Sequence, residues 1–127
     1  MPSPFIGDIM SLAKANPHFR QEITTATHAQ ITLMSIPPGG EVGEETHTDN
    51  DQTLLFITGT GKAIVEGQET LIAPGFLALI PVGTRHNFLN TGTEDMKIVS
   101  VYAPPHHPVG TIQHTKADAD AAEAAGK

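Results

Sequence analysis

The chain reads as an all-β protein built of short antiparallel strands in a single domain. Two observations predict this. Ten prolines and twelve glycines break the sequence into short apolar runs, the spacing of strands joined by turns rather than of long helices. A length of 127 residues suits one domain with a modest core, and neither an internal repeat nor a composition break marks a second.

Each element can be justified in order. Asp8 to Ala15 is predicted as a short helix, with Asp8 as N-cap and Asn16-Pro17 ending it. Arg20 to Thr25 and Gln30 to Ile36 read as strands around Ala26-Thr27-His28-Ala29. Pro37-Pro38-Gly39-Gly40 is a hard break. Glu44 to Thr48 is expected as a strand, and Gln52 to Thr58 as a longer one that turns at Gly59-Thr60-Gly61. Lys62 to Val65 and Glu69 to Ile72 form a hairpin about Glu66-Gly67-Gln68. Phe76 to Ile80 and Arg85 to Asn90 flank a Pro81-Val82-Gly83 turn, and Met96 to Ala103 is the last strand, closed by Pro104-Pro105. From Thr115 to Lys127 the chain is alanine-rich and favours helix. It lacks bulky apolar residues there, so a frayed or solvent-facing helix is expected.

Two stretches carry the chemistry. Gly75 to Asn90 reads G-x5-P-x-G-x2-H-x3-N, which places His86 at the start of a strand just after a tight turn. A turn of that kind holds an imidazole at a fixed place on a rigid sheet. Gly39 to Gly59 reads G-x5-E-x-H-x4-Q-x6-G. Together these stretches resemble the two motifs of the cupin superfamily over about residues 31–103. The second matches throughout. The first keeps every spacing, with Glu45 and Gln52 where the family has histidine and glutamate. The resemblance implies a double-stranded β-helix, the cupin jelly-roll barrel. Its core would span about 20–103, with an extension over 104–127, in a single domain 1–127. The small bacterial members it resembles are often labelled mannose-6-phosphate-isomerase-like or RmlC-like.

Residues two apart in a strand share a face. Glu45 therefore points with His47, Gln52 with Phe56, and His86 with Phe88. The resemblance implies that Glu45, His47, Gln52 and His86 converge as metal ligands. It also suggests Phe56 and Phe88 as substrate-pocket walls, although core packing explains them equally well. Glu44 and Asp49 are rivals to Glu45 within a small shift of register. Two histidines and one carboxylate resemble a facial triad with open positions. One divalent ion per chain is expected, from Fe, Mn, Ni, Co and Zn; an amide is a weaker ligand than a carboxylate, so Gln52 either binds loosely or holds a metal-bound water. The segment from Tyr102 to His114 adds three histidines on a proline-stiffened stretch, suited to cross the barrel mouth or a dimer partner.

Charge and composition narrow the functions. Fourteen acidic residues against seven basic ones give a net charge of −7, which argues against nucleic acid and anionic membranes. Arg20 and Arg85 are the only arginines, so a pocket for a phosphorylated sugar would be thin. With no cysteine there is neither a disulfide nor a thiolate ligand. A cytoplasmic location is expected, since the N-terminus lacks the order of a signal peptide. The reading that follows is a small-molecule metalloenzyme, an isomerase, lyase or dioxygenase acting on a sugar-like, carbonyl or hydroxy-acid substrate. The alternatives are a non-catalytic binding barrel and a structural barrel. A homodimer is expected as well, because the apolar Leu55/Ile57 face needs cover.

Overall fold

The computed structural model describes residues 4–126. Among the described residues, nine strands and two helices occur in the order α1 (Ile9–Ala15), β1 (Arg20–Thr25), β2 (Gln30–Ile36), β3 (Asp51–Thr58), β4 (Gly61–Val65), β5 (Gln68–Ile72), β6 (Leu77–Ile80), β7 (His86–Asn90), β8 (Met96–Ala103), β9 (Ile112–Gln113) and α2 (Lys116–Ala124). All strand pairs are antiparallel. A six-stranded sheet runs β6-β3-β8-β2-β1-β9, and a three-stranded sheet runs β5-β4-β7. The two sheets face each other across the main core, as the barrel expectation requires.

The register shows why one end of the barrel is polar. Inward positions of the large sheet form rungs across β3, β8 and β2. Phe56 faces Ile98, which faces Met34; Leu54 faces Ser100, which faces Thr32; Gln52 faces Tyr102, which faces Gln30. Along one direction the rungs pass from apolar to polar. The opposite sheet does the same, from Phe88 to His86 on β7. Phe56, Phe88, Met34, Leu54 and Ile98 belong to one buried cluster, so the far end is dry core.

The large sheet is covered on its outer face too. Ile57, Leu33 and Val99 are buried with Ala13 of α1, and Ile9 and Leu55 pack against them. The face of β3 on which the dimer expectation rested is thus covered by the protein's own helix. Asp8 caps α1 through its carboxylate, which accepts from the Ser11 amide at 3.2 Å. Exposed apolar residues lie elsewhere, at Leu77 and Leu79 on the edge strand β6 and at Leu71 on β5.

Two expectations need correction. The 44–48 segment is not a strand: it makes a single bridge, Glu45 with His86, beyond the edge of the small sheet. Gly43, just before it, has φ +108°. The bend this allows leaves only one residue in pairing register. The terminal helix is anchored rather than frayed. Thr115 caps it, accepting from the Asp118 amide, and Ala119 is buried in the main core cluster beside Phe19. A small residue sufficed because the helix lies close against the barrel. β9, which pairs with β1, had no sequence signal: two residues are too few to show a period.

Candidate metal centre

His86 is set by the turn before it. Gly83 has φ +83°, which a side-chain-bearing residue rarely adopts, and the Thr84 amide closes the turn on the Pro81 carbonyl at 3.2 Å. The Gly83 amide also donates to the His47 carbonyl at 2.7 Å. Glu45 and His86 exchange both backbone hydrogen bonds at 2.9 Å. One turn thus ties the two motifs together through the main chain.

Side chains complete the centre. Ligand atoms of Glu45, His47 and His86 all lie within 4.8 Å of one another. His86 Nδ1 lies 2.8 Å from the Thr84 carbonyl, a partner that only accepts. The proton therefore sits on Nδ1, and Nε2 presents its lone pair. That Nε2 is buried and has no hydrogen-bond partner among the described residues; the same holds for His47 Nε2 and Gln52 Oε1. His47 Nε2 stands 3.2 Å from Glu45 Oε2. Gln52 is oriented by its own amide, Nε2 donating to Ser100 Oγ at 2.8 Å, which leaves its oxygen free. Buried polar atoms normally find partners. The free His86 Nε2 and Gln52 Oε1, with His47 Nε2 set against the Glu45 carboxylate, fit a divalent ion.

Electrostatics agree with that fit. Burial lowers the His47 pKa, and the neighbouring His86 lowers it further, so its imidazole is held neutral as a ligand must be. Burial raises the Glu45 carboxyl, against the pull of Arg20 and His86. The rivals of Glu45 are elsewhere: Glu44 is exposed and lies 3.6 Å from Arg85, and Asp49 is exposed 3.7 Å from His106. Phe56 and Phe88 are fully buried beneath the site with ring centroids 5.3 Å apart, and Phe88 packs on His86. Neither borders the cavity described next.

That cavity, about 400 Å³, opens beside Glu45 between β1, the 41–45 segment and α2. Sequence reasoning missed much of its wall. Arg20 is buried there, and beside it stands the half-buried, neutral His107, whose pKa burial and the Arg20 charge lower to about 2. The 104–107 segment crosses the barrel mouth, as one of its two expected positions required. Gln30 holds it: Oε1 accepts from the His106 and His107 amides at 3.1 and 2.9 Å, and Nε2 donates to the His107 carbonyl at 2.7 Å. His106 then lies against His47, ring centroids 4.7 Å apart. Gln30, Ser100 and Tyr102 could have been found from period-two rows in their strands. No sequence signal marked Arg20, whose inward direction appears only from its pairing with Met34.

Comparison with known proteins gives a consistent picture. Residues 32–102 match the family model described as cupin domain. The protein YrkC of Bacillus subtilis, itself uncharacterized, is 40% identical over 96% of this chain, which spans 69% of that protein. The uncharacterized protein L612 of a mimivirus of Acanthamoeba polyphaga is 36% identical over 76% of this chain, covering 63% of that protein. A crystal structure of BH2720 from Bacillus halodurans superposes with a TM-score of 0.93 at 40% identity, covering 94% of this chain and 96% of that one.

Proposed function

The chain belongs to the cupin domain family, and from that premise we propose that it is a metal-dependent enzyme acting on a small hydroxy or carbonyl compound. One observation carries the reading: ligand atoms of Glu45, His47 and His86 lie within 4.8 Å of one another, and the enclosed His86 Nε2 and Gln52 Oε1 have no hydrogen-bond partner among the described residues. Glu45, His47 and His86 would hold the ion, with Gln52 at a fourth, weaker position. A divalent ion there supplies Lewis acidity toward an oxygen of the substrate. The chain's own groups do the rest. The Thr84 carbonyl keeps the His86 tautomer, Ser100 aims the Gln52 oxygen, and the 104–107 segment shields the mouth from water. The hard and borderline donor set suits Fe, Mn, Ni, Co or Zn.

Metal analysis of protein purified without a polyhistidine tag tests the reading. About one divalent ion per chain is expected, and His86→Ala should lose most of it. Full occupancy in His86→Ala would remove these residues from consideration. Metal-free parent protein that still binds a small molecule would favour a non-catalytic binding barrel instead.

A further inference from the structure

The cavity beside the metal centre contains a buried cation without a counter-ion. The Arg20 Nη1 donates to Gln113 Oε1 at 2.7 Å, and its guanidinium carbon lies 5.2 Å from the centre of the Phe19 ring. No ion pair among the described residues includes Arg20, and its enclosed Nε has no hydrogen-bond partner among them. A buried charge in that condition is costly, and folds keep such groups chiefly where they act on a ligand. Two further enclosed polar atoms lack partners in the same way, Tyr102 Oη and His107 Nε2. Their rings are 5.0 Å apart. Tyr102 does not itself line the cavity and stands behind His107. Arg20 and His107 share the cavity with Glu45, one of the proposed ligands.

We propose that Arg20 and His107, with Tyr102 behind them, form a carboxylate subsite, which takes the anionic end of a small monocarboxylic acid while its hydroxyl or carbonyl oxygen faces Glu45, the ligand position that borders the cavity. The three unpartnered atoms can all donate, and a carboxylate only accepts, so their chemistry is complementary. The charge count limits the ligand to one negative charge. Glu41, Glu45 and Glu123 line the same cavity, Glu44 there lies against Arg85, and Lys116 is held by Asp120 at 2.9 Å. Arg20 is left to balance a single carboxylate; a phosphate dianion would meet those acids unbalanced. The proposal rests on the metal reading above and deepens it by naming the substrate class.

The test uses manganese-loaded protein titrated with lactate, pyruvate and propionate, with lactamide as the uncharged control, and binding followed by calorimetry. At least one acid should bind roughly tenfold or more tightly than lactamide, the discrimination expected when a charged partner is left unmatched. Arg20→Gln should abolish that preference while manganese affinity changes by less than about threefold, and Arg20→Lys should retain part of it. Acids that bind no tighter than lactamide to the parent overturn the subsite. So does an acid preference that survives Arg20→Gln; in that case the metal reading stands. If manganese does not bind the parent but the acid preference is present and is lost in Arg20→Gln, the subsite stands and the metal reading falls. Should Arg20→Gln fail to fold, His107→Leu carries the same test: a loss of acid affinity of roughly fivefold or more supports the subsite, and unchanged affinity overturns it.

Discussion

At the scale of single residues, the imidazoles and the amide should differ as ligands. His86→Ala and His47→Ala are expected to weaken divalent-metal binding by roughly tenfold or more, and Gln52→Ala by less, because imidazole binds these ions better than an amide does. Gln52→Glu should tighten binding, Glu45→Gln should loosen it, and the double exchange should recover it if both side chains reach one ion. Metal titration of the variants reads all of these. His107 makes a second prediction, on pH. Its folded pKa lies below its usual 6.5, at about 2, so the folded chain binds fewer protons there than the unfolded chain. Stability is then full above the unfolded value and falls as pH drops below about 6.5, by up to about 1.4 kcal/mol per pH unit for this group. Denaturant unfolding between pH 7 and 4 should show that slope, and His107→Leu should make it shallower. A third concerns Arg20: replacing a buried charge without a counter-ion by Arg20→Met should raise stability by about 1 kcal/mol or more, read by the same method. The positions of Glu45, His47, Gln52 and His86, proposed above as ligands, hang on motif spacing and could be picked out in the sequence for that reason. Arg20 and the cavity were not, since what makes them a site is the pairing of distant strands.

At the scale of elements, the turns were more legible than the segment carrying Glu45 and His47. Proline and positive-φ glycine constrain the backbone locally, so Pro81-Val82-Gly83 could be read directly. The 41–50 segment is held by contacts remote in sequence, such as the Gly43 amide on Asn87 Oδ1 at 2.9 Å and the Gly83 amide on the His47 carbonyl, and its non-strand course was hidden for that reason. Gly59 gives the next prediction. It has φ +85°, and a Cβ there would come 2.8 Å from the Met96 Cα, a main-chain atom with little room to move. Gly59→Ala should cost about 2 kcal/mol or more, combining backbone strain with overpacking. Thermal unfolding measures it, and an unchanged midpoint would show that β3 and β8 separate there at little cost.

At the scale of the molecule, the sheets and the main core followed from turn punctuation and alternation, while the placement of the terminal helix depended on one buried alanine. Assembly is a matter for measurement. With the Leu55/Ile57 face covered by α1, we propose that a homodimer would draw on exposed apolar residues elsewhere, such as Leu77 and Leu79 on the edge strand β6. Sedimentation at micromolar concentration should then give twice the 13.4 kDa chain mass, and Leu77→Lys should return the monomer. The passage from apolar to polar rungs has one more consequence, for the order in which the molecule comes apart. The dry end is held by burial at all times, whereas the polar end would gain its full cohesion only with the proposed ion tying three segments together. Amide exchange should therefore be uneven in the metal-free protein. The amides that join Glu45, His86, Gly83 and His47 should trade their protons long before those around Phe56, Ile98 and Met34. Added metal should slow the first group and leave the second nearly untouched, so that one barrel behaves as two cooperative units until the ion makes it one.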